Sequence, residues 1–118
     1  MKGQKLIDST KEFAVEIIKL NDTLKARGRA LAILGQLQRS GTSIGANVHE
    51  AHYAASKADF ANKLQIALKE CYETDYWLDI FAHSGIITQN EHDELSSKCS
   101  AIRNMLVASI KTTKEQLD

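Results

Sequence analysis

The chain has 118 residues, 43% of them apolar and 25% charged, the balance of an ordinary globular domain. Its 15 Lys and Arg match its 15 Asp and Glu, which excludes an acidic or basic disordered tail, and no apolar run approaches the roughly 18 residues of a membrane span. The opening Met1-Lys2-Gly3-Gln4-Lys5 reads as the start of an amphipathic segment rather than a signal peptide, and two cysteines make no disulfide framework, so a reducing cytoplasm is expected.

The first predicted helix covers about residues 4–26. Leu6, Thr10, Phe13, Ile17, Leu20 and Leu24 recur at steps of four and three and share one stripe. Gly28 is placed to stop it, and Lys25 and Arg27 suit the negative end of the helix dipole. The second helix is expected over about 30–54, on Ala30, Leu34, Leu37, Gly41, Ile44, Val48 and Ala51. Gly41-Thr42-Ser43-Ile44-Gly45 has the composition of a loop, yet the apolar register passes through it without a slip, so a continuous helix is preferred. Gly41 and Gly45 also permit close approach of a neighbouring helix.

The third helix opens at the capping pair Ser56 and Asp59, where Asp reaches back less well than Glu would. Its stripe is Phe60, Leu64, Ala67, Cys71, Thr74, Leu78 and Phe81 or Ala82, and Gly85 closes it. The fourth opens at a better capping box, Thr88-Gln89-Asn90-Glu91, and buries Leu95, Cys99, Ile102, Leu106, Ile110, Thr113 and Leu117. Four long helices with short connections predict an all-α, up-down-up-down antiparallel four-helix bundle forming one domain over residues 1–118.

A second apolar surface lies outside these stripes. Ile66, Trp77 and Ile80 point away from the third helix's core stripe, and Ile7, Ala14 and Ile18 form another line on the first helix. Two readings stand: a wide core with scattered surface residues, or a subunit interface anchored by Trp77. The back of the second helix carries Arg39, Ser43, Asn47 and Glu50, and the third carries Glu70 and Glu73. These are either solvated faces or an Arg39–Glu73 pairing with Asn47 as a hydrogen-bond relay, within or between subunits.

The run Arg39-Ser40-Gly41-Thr42-Ser43-Ile44-Gly45-Ala46-Asn47-Val48-His49-Glu50, followed by Ser56-Lys57-Ala58-Asp59-Phe60, Leu64-Gln65-Ile66-Ala67-Leu68, Glu73 and Leu78, resembles the signature of a bacterial four-helix-bundle family. That family holds the proteins encoded by intervening sequences in large-subunit ribosomal RNA genes and the accessory variability determinants of diversity-generating retroelements. The resemblance spans nearly the whole chain. Gly45 stands where many members have proline, and Ala51 where many have a glycine. The resemblance implies a ring-like homo-oligomer, a pentamer, that partners a reverse transcriptase or ribonucleoprotein and binds RNA or DNA.

Charge alone does not predict nucleic-acid binding, because the chain is neutral. Its distribution is uneven: residues 1–58 hold 9 basic and 5 acidic side chains, and residues 59–118 hold 6 and 10. Lys25, Arg27 and Arg29 cluster at the first turn and are the candidate nucleic-acid contacts, with a solvated loop as the plainer alternative. The candidate interface residues are Arg39, Ser43, Asn47, Glu50, Ile66, Glu73, Trp77 and Ile80.

His49 and His52 at i, i+3 raise a metal or small-molecule site as the rival reading. No Glu-x-x-His pair and no inward carboxylate accompany them, and His-Glu-x-x-His fails on spacing, so neither a metal nor another cofactor is expected. Cys71 and Cys99 lie on core stripes and read as small hydrophobes. With no nucleophile–base arrangement visible, the chain reads as a non-enzymatic scaffold or adaptor.

Overall fold

The computed structural model describes residues 3–29 and 31–117. Four helices follow one another: α1 Gln4–Ala26, α2 Leu34–Ala51, α3 Lys57–His83 and α4 Gln89–Leu117. Among the described residues there is no strand. Each helix packs on the next and α4 returns to α1, without diagonal contacts, which makes an up-down-up-down bundle 51 Å long and about 22 Å across. Among the described residues, no helix is long and apolar enough to cross a membrane.

The helix ends carry the expected devices. Ser56 Oγ accepts from the Asp59 amide at 3.1 Å, while the Asp59 carboxylate reaches only the Ala55 amide at 3.4 Å. At α4 the box is reciprocal: Thr88 N–H donates to Glu91 Oε1 at 2.9 Å and Glu91 N–H to Thr88 Oγ1 at 3.1 Å. Gly28 and Gly85 follow α1 and α3 at positive φ, each within a paired backbone motif that satisfies the last carbonyls (Arg29 N–H to Leu24 O, Ile86 N–H to Phe81 O, both 2.8 Å).

The α2 helix is continuous through both glycines but shorter than the 30–54 expected. Ala30 lies outside the described residues. From Leu31 to Gln36, and again from His49 to Ala54, the chain is held by backbone bonds between residues three apart. Ile33 has no side chain able to cap the start, and the tighter winding satisfies the terminal groups instead.

The core follows the predicted stripes with three shifts. Asn21 is buried where Leu20 was expected, and Leu20 is half-buried. The Asn21 amide donates to the Leu34 carbonyl at 2.8 Å and to Gln38 Oε1 at 3.3 Å, which ties α1 to the start of α2. Ala61 is more buried than Phe60, and Leu117 is half exposed at the end of α4. The α1–α2 contact is tight: a Cβ on Gly41 would meet Ile17 Cγ1 at 3.0 Å, and one on Gly45 the Thr10 carbonyl oxygen at 3.3 Å. Between α2 and α3, Thr74 Oγ1 lies 3.0 Å from Ser40 Oγ in the buried interior. The α1–α4 seam is the weakest and opens into a groove over Phe13, Val15, Ile102 and Met105, bridged by Lys98 to Glu16.

Candidate functional site

The outer seam between α2 and α3 carries a cluster of charged side chains centred on Arg39. Arg39, one turn into α2, reaches across to two carboxylates on α3: Glu70 at 3.2 Å and Glu73 in direct contact. Glu73 also accepts from the Trp77 indole N–H at 3.1 Å. The Trp77 bond first, and Arg39 second, hold the Glu73 carboxyl below the usual range. Glu73 correspondingly raises Arg39. Further along the seam, Glu50 lies 3.9 Å from Lys63.

Arg39 therefore meets Glu73 within one chain, but Asn47 is no relay. Its Nδ2 donates to the Ser43 carbonyl at 2.9 Å, and Ser43 Oγ donates to the Arg39 carbonyl at 2.6 Å. Both side chains satisfy the backbone one turn behind them, as short polar side chains within helices do.

The apolar part of this face is mixed. Ile66 is 37% exposed, whereas Trp77 is half-buried and packs against the core of its own chain. Ile80 is half-buried, and on α1 Ile7 packs partly into the core while Ile18 is exposed. The sequence reading passed over Tyr72 and Tyr76, each 56% exposed. Their i, i+4 spacing on the side of α3 away from its core stripe was the available signal. Tyr76 stands edge-on to Trp77 at 5.0 Å between ring centroids, and the Arg103 guanidinium lies 5.6 Å from the Tyr72 ring centroid. Arg103 also bonds Asp75 at 2.6 Å. Burial pushes the Asp75 carboxyl up, and Arg103 pulls it back only in part.

Lys25, Arg27 and Arg29 are exposed around the α1–α2 turn, at the opposite end of the bundle from His52. The two histidines do not converge. His49 lies beside Tyr53 on the α1–α2 groove, whereas His52 lines a cavity with Phe60 and α4. Among the described residues, no three His, Cys, Asp or Glu side chains are arranged to hold a metal ion. Cys71 and Cys99 are both fully buried. Cys99 Sγ donates to the Cys71 carbonyl at 3.6 Å. The neighbouring Cys71 thiol, then burial, pushes the Cys99 thiol far up, and a thiol held protonated is a poor nucleophile.

Fold and surface together define a four-helix bundle whose charged groups sit on outer faces, with only neutral polar side chains such as Asn21, Ser40 and Thr74 buried. Residues 2–108 match the sequence profile of the 23S rRNA-intervening sequence protein family, and the chain belongs to that family. It is also similar to a crystal structure of a protein of unknown function from the S23 ribosomal protein family of Bacteroides thetaiotaomicron. The two are 42% identical, with a TM-score of 0.87 over 90% of this chain and 98% of that one. No curated protein matches the chain.

Proposed function

We propose that this chain is a non-enzymatic scaffold that assembles with copies of itself into a closed ring, a pentamer on the family resemblance, and presents the assembled surface to a nucleic-acid-containing partner. A ribonucleoprotein or a reverse transcriptase fits that description. The observation that carries the reading is the outer face of α3. Ile66, Tyr72 and Tyr76 stand exposed along α3, and Tyr76 lies edge-on to Trp77, whose indole N–H is already satisfied by Glu73, so its ring edge can be covered without stranding a donor.

The charge asymmetry supports a head-to-tail arrangement. The α1–α2 half carries the basic excess and the exposed Ile18, while the α3–α4 half carries the acidic excess and the aromatic face. Two unlike, complementary surfaces on one chain join copies heterologously, and such contacts close into rings when the rotation permits. The arrangement needs no converging nucleophile, base or metal.

Solution mass tests the assembly. The unaltered chain should scatter light as a multiple of 13.1 kDa. Ile66→Ala with Trp77→Ala should return it to a single-chain mass with helix content retained. Because Trp77 also touches its own core, Ile66→Glu with Tyr76→Glu is the companion variant, at two exposed positions. A single-chain mass for the unaltered protein, or an unchanged oligomer in both variants, overturns the reading.

A further inference from the structure

Helices α1 and α3 stand at diagonal corners of the bundle, run in the same direction and make no contact within the chain. Each carries an outward ridge that mixes two charges with two large apolar side chains, where a solvated helix is polar throughout. On α1 the ridge is Asp8, Lys11, Val15 and Ile18, all exposed, at steps of three, four and three. On α3 it is Lys69, Glu73, Tyr76 and Ile80, at steps of four, three and four. Lys69 and Tyr76 are exposed there, and Glu73 and Ile80 half-buried. The two ridges span 10 and 11 residues, about 15 and 17 Å.

Laid side by side in the same direction, the ridges match at every step: Asp8 with Lys69, Lys11 with Glu73, Val15 with Tyr76 and Ile18 with Ile80. Reversing one ridge sets every charge against an apolar or aromatic side chain. Neither ridge matches a copy of itself. Antiparallel pairing puts Asp8 on Ile18 and Lys11 on Val15, or Lys69 on Ile80 and Glu73 on Tyr76, and parallel pairing puts like charges together. The charges are available for such contacts. Among the described residues, Asp8, Lys11 and Lys69 form no ion pair. Arg39 and Trp77 both bond Oε2 of Glu73, which leaves Oε1 for a further cation.

We infer that α1 of one copy lies parallel to α3 of the next in this register, an inference that rests on the ring proposed above and names the surface that receives the α3 face. Because the two helices point the same way, all the bundles run in one direction, as rotation about a single axis requires. The apolar half of each ridge is covered by the neighbour, and the two ion pairs set register and partner more than they add affinity.

Light scattering of α1 variants of the full chain tests this. Val15→Glu with Ile18→Glu, at two exposed positions, should give a single-chain mass with helix content retained. Mixed with the Ile66→Glu, Tyr76→Glu variant, which is altered only on α3, it should form a 1:1 complex of twice 13.1 kDa, since each keeps the ridge that the other has lost. Asp8→Lys or Lys69→Glu alone should raise severalfold the concentration at which the assembly dissociates, and both exchanges in one chain should bring it back. Three results overturn the inference and leave the scaffold reading standing: an α1 variant that stays assembled while the α3 variant does not, a mixture that forms no complex, or charge reversals that the double exchange fails to correct. A single-chain mass for the unaltered protein removes both.

Discussion

Gly35 and Gly41 both lie within α2, yet an added methyl would meet different surroundings at each. At Gly35 nothing stands within 4 Å of the position, whereas at Gly41 the nearest atom is Ile17 Cγ1 at 3.0 Å. Ile17 is β-branched and fully buried, so it has no room to give. Alanine gains up to about 1 kcal/mol over glycine in a helix interior, less near the first turn. Gly35→Ala should therefore raise stability by a few tenths of a kcal/mol, up to about 1. At Gly41 the same gain is opposed by overpacking that costs about 1–3 kcal/mol. Gly41→Ala should lower stability by about 1 kcal/mol on balance. Urea unfolding of the two variants checks the pair, and an equal shift in both would contradict the close α1–α2 approach. That Gly41 and Gly45 serve close packing was legible in the sequence, because the apolar register ran through them. That Ile17 and the Thr10 carbonyl are their partners was not, because it depends on how α1 is rotated against α2.

Between elements, the clearest titratable link joins α3 to α4 at His92. Its Nε2 lies 2.5 Å from Asp79 on α3 and its Nδ1 2.9 Å from Asp93 on α4. Both ring nitrogens can donate only in the imidazolium. Bonds to Asp93 and then Asp79 accordingly hold the His92 pKa above its ordinary value. A histidine raised on folding contributes fully below its unfolded value of about 6.5, and that contribution is lost as pH rises through the folded value. His92→Gln should therefore lower the melting temperature more at pH 5.5 than at pH 8.5. Equal losses at both would show that the imidazolium is not held. The carboxylates are more than half exposed, so solvent screening keeps the effect modest. The caps and buried stripes of these helices, and the ends of all but α2, could be read locally, from Thr88 and Glu91, from Gly28 and Gly85, and from four-three spacing. The links between them could not. Asn21 to Leu34, Arg103 to Asp75 and His92 to Asp79 each join residues whose meeting is decided by the rotation of whole helices. The same limit explains Asn47, whose place on the Arg39 line was read correctly while its side chain turned back to its own backbone.

For the molecule as a whole, the proposed assembly and the proposed nucleic-acid contact can be tested together, through the salt dependence of RNA retention. Lys25, Arg27 and Arg29 project from one end of the bundle, and among the described residues none of them forms an ion pair. One chain offering these three cations to single-stranded RNA would release few counterions, with a log–log salt slope of about −2. A ring that brings several copies to bear on one strand multiplies the phosphates engaged, and the slope steepens with each copy that contributes. RNA retention measured from 50 to 200 mM salt should therefore fall more steeply than a slope of −2 for the assembled protein. In the Ile66→Glu, Tyr76→Glu variant it should return toward −2, because that variant keeps all three cations and loses the neighbours, while its two added carboxylates weaken affinity without adding phosphate contacts. Arg27→Glu with Arg29→Glu should remove retention in both backgrounds without changing the solution mass. Retention indifferent to those two reversals would place any RNA contact elsewhere on the surface, and a slope unchanged by dissociation would separate RNA binding from assembly.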